Sequence, residues 1–190
     1  MKNSYIGQAW LVIVLSLAFG AALAAVQATL DPRIAQNKLR DALDQVPRLV
    51  PGATGGRAET IGELTVYRAT DEQDRPVGWV IPARGQGFAD VIELLVGVDE
   101  SVQQVTGLYI LKQLETPGLG DNITAEKWRN QFRGRKTGED LLVTKAAPTR
   151  DREIQGVTGA TISSVSVVGI VNSAVTKLRA ALADRAGGPS

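Results

Sequence analysis

The 190-residue sequence predicts an α+β protein: one N-terminal transmembrane helix followed by a domain with an antiparallel sheet and a C-terminal helix. Three observations carry that expectation. Residues 6–30 hold no charge, strand-like runs crowd residues 64–111 with no helical pattern between them, and apolar residues after position 161 recur at steps of three and four. Strands grouped ahead of a late helix suit an α+β domain better than a doubly wound one.

The first element, residues 6–30, is dominated by Leu, Val, Ile, Ala, Phe and Trp10. At about 1.5 Å per residue it is long enough to cross a hydrocarbon core of roughly 30 Å. Lys2 ahead of the run and Ala22-Leu23-Ala24 within it also fit a cleaved secretory signal. The run exceeds the roughly 7–15 residues of a signal core, which favours a retained anchor over residues 1–30. Cations flank it on both sides, Lys2 on one and Arg33, Lys38, Arg40 and Arg48 on the other, so charge alone does not orient it. Residues 31–56 read as a juxtamembrane helix and linker. Asp31-Pro32 opens the helix, Ile34, Leu39, Leu43 and Val46 fall at near-helical spacing, and Pro51-Gly52-Ala53-Thr54-Gly55-Gly56 ends it as a turn.

Residues 57–190 form the folded domain. Strands are expected at 64–69, 76–82, 91–98 and 105–111, a short helix at 127–132, and a further strand at 141–145. The terminal helix begins at Thr161 or Ser163. Its buried stripe is read from Val165, Val168, Val171, Val175, Leu178 and Leu182, with Asn172, Lys177, Arg179 and Asp184 off it.

Composition excludes several chemistries. The chain has no Cys and no His, so thiolate-ligated iron–sulfur clusters, His-ligated haem, ordinary zinc sites and the common hydrolytic triads are absent. Redox chemistry, if any, requires an organic cofactor. The 21 Lys and Arg against 20 acids leave a formal charge of +1, with no basic stripe interleaved with aromatics, so nucleic acid is not an expected partner. The local concentration Lys127, Arg129, Arg133, Arg135 and Lys136 reads as a solvated helix face and loop in preference to the alternative, a phosphate-binding or lipid-facing patch. Gly134-Arg135-Lys136-Thr137 lacks the order of a phosphate loop, and Gly118-Leu119-Gly120 lacks the third glycine of a dinucleotide fingerprint.

The most informative stretch is Thr158-Gly159-Ala160-Thr161-Ile162-Ser163-Ser164, which sets hydroxyls around a Gly-Ala step where the last helix begins. The first N–H groups of a helix lack intrahelical acceptors, and the helix dipole adds partial positive charge, so an anion is stabilised there. On local physics alone, ordinary N-capping by Thr or Ser is the better reading of the same residues.

Other residues change that balance. Thr158-Gly159-Ala160-Thr161, followed by Ser163, resembles the covalent flavin-attachment motif of the FMN-binding domain family. Glu115-Thr116-Pro117-Gly118-Leu119-Gly120 is similar to the family's segment that lies against the flavin, and Gly87-Phe88 leading into residues 91–99 to its opening strand. The resemblance implies FMN held by a phosphoester to Thr161, with Thr158, Gly159, Ala160 and Ser163 shaping the attachment turn and Glu115, Thr116, Leu119 and Gly120 bedding the ring. Residues 57–190 are then the FMN-binding domain. Two positions depart from the pattern: Gln155 stands where the motif usually has Asp, and Lys112-Gln113-Leu114 where a His often precedes the Glu-Thr block.

The whole-chain layout is similar to the G subunit of Rnf-type ion-translocating ferredoxin:NAD oxidoreductase complexes. It implies an electron-carrying role, integral-membrane subunits of the same complex as partners, and a flavin transferase for maturation. The implied location is the inner, cytoplasmic membrane, with a single pass and the flavin domain on the periplasmic or outer side. The C subunit of a sodium-pumping quinone reductase, another extracytoplasmic flavoprotein and a non-redox anchored scaffold are the alternatives. The small residues Gly20, Ala21, Ala24 and Ala25 suit helix packing within the membrane.

Overall fold

A computed structural model describes residues 5–187. Lys2 and the polar end at 188–190 lie outside the described residues. Helix α1, Tyr5–Leu49, is one continuous 45-residue element, so Asp31-Pro32 does not start a separate juxtamembrane helix. A proline removes one i→i−4 bond, but the Ala-, Gln-, Leu- and Arg-rich flanks have high helix propensity and carry the helix past it. The large apolar side chains of α1 from Trp10 to Leu30 are all exposed, and an 18-residue window reaches a mean hydropathy of 2.4. A helix apolar all round and unpacked along that length is suited to hydrocarbon rather than to water.

The chain divides into two compact units between Asp41 and Ala42. The second contains a five-stranded antiparallel meander: β1 Gly55–Ile61, β2 Leu64–Thr70, β3 Pro76–Gln86, β4 Val91–Asp99 and β5 Val105–Lys112, in the order β1-β2-β3-β4-β5. Four of these coincide with the expected runs. Strand β1 does not, and it takes Gly55 and Gly56 out of the expected linker. Its Gly-Gly-Arg-Ala-Glu-Thr sequence has no apolar alternation, because it is an edge strand paired only to β2.

Strand alternation gives the sheet two buried faces. Trp79, Ile81, Ile92, Leu94, Val96 and Val98 pack with the terminal helix, whereas Tyr67, Ala69, Val80 and Leu95 pack with Ala42, Val46, Leu49 and Val50 from the end of α1. On that second face the backbones come close: a Cβ at Gly97 would lie 2.7 Å from the carbonyl oxygen of Leu49 and 2.8 Å from Thr106 Oγ1. Gly97→Ala is therefore expected to destabilise the domain by about 1–3 kcal/mol. Thermal unfolding of the variant beside the parent chain measures this.

After β5 come a 3₁₀ turn, Gly120–Thr124, then α2, Glu126–Arg129, and a second 3₁₀ turn, Asn130–Phe132. Two three-residue strands follow, β6 Leu142–Thr144 and β7 Glu153–Gln155, paired in parallel. Strand β7 is too short for a periodic signal, yet it delivers the chain to the Thr-Gly-Ala-Thr turn.

Helix α3, Thr161–Gly187, lies on the sheet. It too is long and apolar enough to cross a membrane, but its inner side is core. The buried side comprises Val167, Val168, Ile170, Val171, Ala174, Val175 and Leu178. Val165, expected to be buried, is 52% exposed, while Val167, Ile170 and Ala174 lie outside the expected stripe. A helix lying flat on a sheet buries a broader arc than a three-four stripe. Arg179 donates to the carbonyls of Val102 (3.1 Å) and Thr137 (2.8 Å), and Asn172 exchanges two 3.0 Å bonds with the Leu141 backbone.

Candidate functional site

The attachment turn is built by backbone conformation and hydroxyl bonds. Gly159 sits at φ +81°, in the left-handed region that favours glycine, and a Cβ there would lie 2.9 Å from Leu119 Cδ2. Ala160 stands at the cap of α3, its carbonyl accepting the first helical bond from the Ser164 amide at 3.1 Å. The helix therefore begins at Thr161, one of the two expected starts, with Ala160 and not a hydroxyl residue as its cap. An alanine has no oxygen with which to satisfy the first turn. The amides of Thr161, Ile162 and Ser163 accordingly have no partner among the described residues.

The four hydroxyls of the turn divide into two pairs. Ser163 is 2% exposed and donates to Glu115 Oε2 at 2.5 Å. Ser164 is fully buried; its Oγ accepts from the Val157 amide at 2.9 Å and donates to the Ala160 carbonyl at 3.0 Å. Both shape the turn from inside. Thr158 and Thr161 are exposed, and neither hydroxyl has a partner among the described residues. Thr161 is the free hydroxyl carried on the helical turn whose amides are unpartnered.

Glu115 joins the blocks that the sequence set apart. It is only 4% exposed. Besides Ser163, its carboxylate accepts from the amides of Phe88 (2.9 Å) and Ala89 (3.2 Å). Its own amide donates to Gln113 Oε1 at 2.6 Å. The carboxylate leaves no room around it: a Cβ at Gly87 would lie 2.2 Å from Oε1, and one at Gly120 would lie 2.8 Å from Glu115 Cβ. The Gly87-Phe88 turn, the Glu115–Gly120 loop and the first turn of α3 thus converge on one buried anion.

Of the remaining expected residues, Thr116 and Leu119 are exposed and Gly120 is buried. Around the same turns the large apolar side chains of Phe88, Leu114, Leu119, Ile162 and Val165 are exposed, at 46–61%. Leu114 and Ile162 escaped sequence reading as site residues, and Val165 reads there as core. The usable signal was an apolar residue inside an otherwise polar or glycine-rich loop.

Gln155 is held through its backbone: its amide donates to Gln131 Oε1 at 2.8 Å, and its carbonyl accepts from Trp128 Nε1 at 2.8 Å. Its side chain is exposed. Glu153, two residues earlier, is spent on the 149–153 turn, accepting from the Thr149 amide (2.8 Å), Thr149 Oγ1 (3.1 Å) and the Arg150 amide (3.3 Å). The Thr149 amide bond foremost holds this carboxyl below the usual carboxylate range. A folded-state value below the unfolded one contributes stability above the unfolded value near 4.5, and that contribution is lost as pH falls through the folded value. Glu153→Gln should therefore lower the urea midpoint at neutral pH, and the gap to the parent should close as the medium is acidified below pH 4.5.

The arrangement fits a flavin mononucleotide. Three unpartnered amides suit its phosphate, the glycine turn admits a close approach, and exposed apolar side chains with the Glu115–Gly120 loop offer a surface for a planar ring.

Comparisons with known proteins agree in kind. The FMN-binding domain family matches residues 87–176. The G subunit of the ion-translocating oxidoreductase complex of Methanosarcina acetivorans is 33% identical over 177 residues, covering 86% of this chain and 91% of the relative. The G subunit of the proton-translocating ferredoxin:NAD(+) oxidoreductase complex of Clostridium ljungdahlii is 31% identical, covering 84% and 83%. The C subunit of the Na(+)-translocating NADH-quinone reductase of Vibrio anguillarum is 30% identical but covers 58% of this chain and 45% of its own. The crystal structure of the C subunit of the same type of reductase from Parabacteroides distasonis superposes with a TM-score of 0.55 at 23% identity, covering 63% of this chain and 62% of that one.

Proposed function

We infer function from one premise: the chain belongs to the FMN-binding domain family, as a relative of the G subunits of ion-translocating oxidoreductase complexes. On that premise it is a membrane-associated electron-transfer subunit that carries FMN within an Rnf-type ferredoxin:NAD oxidoreductase. Coverage favours this over the C subunit of the quinone reductase, whose match reaches only 58% of the chain. When bound, the flavin supplies reversible electron uptake and release, which no side chain of this chain provides.

The finer reading is a phosphoester to Thr161. The observation that carries it is the division of hydroxyls: Ser163 and Ser164 are buried and bonded, whereas Thr161 is exposed and unbonded beside three free amides. Attachment from FAD by a flavin transferase balances as a phosphoryl transfer. The Thr161 Oγ1–P bond forms, the P–O–P bond of FAD breaks, AMP leaves, and the hydroxyl proton passes to a base of the transferase. The α3 amides then hold the phosphate, Gly159 and Ala160 let it approach, and Thr116 and Leu119 face the ring while Glu115 and Gly120 support their loop from behind. A covalent bond removes the dissociation route open to a noncovalently held cofactor.

Helix α1 anchors the domain, and its small residues pack against integral-membrane subunits, with the domain on the periplasmic or outer side. The test is coexpression with a competent flavin transferase, followed by denaturing electrophoresis under ultraviolet light. A fluorescent band at the mass of the chain is expected. A dark band from a transferase that labels a control substrate would return the turn to a helix start on a non-redox scaffold.

A further inference from the structure

The cation-rich stretch 127–136 is not simply a solvated face. Arg129, half-buried, donates from Nε to the Thr124 carbonyl (2.8 Å) and from Nη1 to the Leu108 carbonyl (3.0 Å), with its guanidinium 5.2 Å from the centre of the Tyr109 ring. Arg133 donates from Nε to the Thr106 carbonyl at 3.1 Å. Arg129 and Arg133, together with Arg48 from the last turn of α1, line a cavity of about 200 Å³ floored by Gly107 and Leu108.

These bonds hold Arg129 by Nε and Nη1 and Arg133 by Nε, and leave Nη2 of Arg129 and both Nη of Arg133 without acceptors among the described residues. Arg48 has no acceptor either, and none of the three has a carboxylate within salt-bridge distance among the described residues. Glu126, exposed, is the acid among the lining residues. Three like charges around one small space repel, and an anion placed among them relieves that repulsion. Planar guanidinium forks held by a scaffold match an oxyanion with several acceptor oxygens. The same cavity is lined by Gln45, whose Oε1 is buried with no donor. A ligand that carries anionic oxygens and also an O–H satisfies both deficits.

We propose that this cavity binds a phosphate group bearing or adjoining a hydroxyl, held by Arg48, Arg129 and Arg133 with Gln45 accepting from the hydroxyl. Hydrogen phosphate and the glycerol phosphate headgroup of an anionic lipid share that chemistry. None of the residues that line it belongs to the flavin turn.

The test uses the full chain in neutral detergent, read by its thermal midpoint. One arm adds inorganic phosphate against chloride at equal ionic strength, and the other adds phosphatidylglycerol against phosphatidylcholine. At a hundredfold excess over Kd a rise of roughly 5–11 °C is expected. Arg48→Gln should erase the rise and should not lower the ligand-free midpoint, because Arg48 bonds to nothing among the described residues and its loss removes one of three repelling charges. A rise with phosphatidylglycerol and none with free phosphate assigns the site to a lipid headgroup. No rise in either arm, or an undiminished rise in the Arg48→Gln chain, overturns the proposal.

Discussion

Replacing Thr161 with Ala is expected to abolish covalent flavin, so that the band coexpressed with transferase turns dark, while Thr158→Ala keeps a fluorescent band. The two threonines are equally free of partners and both exposed, so accessibility alone does not separate them. Their positions do. Thr161 is the first residue of α3 and shares its turn with the unpartnered amides, whereas Thr158 lies before Gly159, where the chain is turned by a φ of +81°. The loss in Thr161→Ala should be a loss of chemistry and not of fold, since an exposed side chain that bonds to nothing changes stability by no more than about 0.5 kcal/mol. Equal thermal midpoints of the two unflavinylated variants check that. A dark Thr158→Ala band beside a fluorescent Thr161→Ala band would move the attachment site by three residues.

Gly159→Ala separates geometry from nucleophile at the same turn. It retains Thr161 but forces a side chain into the left-handed region against Leu119, 2.9 Å away. Reduced labelling with Thr161 intact is expected from the same gel.

Much of the fold was legible because its signals are local. The charge-free run, four alternating strands and the three-four pattern of the last helix each declare themselves within a short window. What escaped depends on contacts distant in sequence. Edge strand β1 and three-residue β7 exist through their partners, and Asp31-Pro32 looked like a helix start because local rules cannot weigh 45 residues of helical context. The site was legible as residue types but not as roles. Glu115, Ser163 and Gly120 were expected at the flavin, yet Glu115 and Ser163 face each other across 48 positions of sequence in a buried bond, with Gly120 packed against both. Arg129 and Arg135 read as solvated cations, but each donates to backbone carbonyls.

That buried bond makes Glu115 the residue whose removal should cost the site most. Glu115→Ala leaves the buried Ser163 hydroxyl without its acceptor and removes the carboxylate to which the part-buried amides of Phe88 and Ala89 donate. Unsatisfied buried donors cost about 1–3 kcal/mol each, and partial relaxation makes a total of roughly 2–4 kcal/mol the expected loss. Glu115→Gln is the informative partner. Its amide oxygen can still accept from Phe88 and Ala89, and its NH₂ can donate to Ser163 Oγ, so the geometry survives while the charge does not. If Glu115 acts by holding three segments in register, Glu115→Gln should keep most of the stability and of the covalent flavin, and Glu115→Ala should lose both. Equal damage from the two changes would mean that the charge itself is what the turn requires. Ser163→Ala completes a double-mutant cycle. A coupling energy of at least about 0.5 kcal/mol between positions 115 and 163 is expected of groups in direct contact, and an additive result would show that the 2.5 Å bond does not hold the attachment turn.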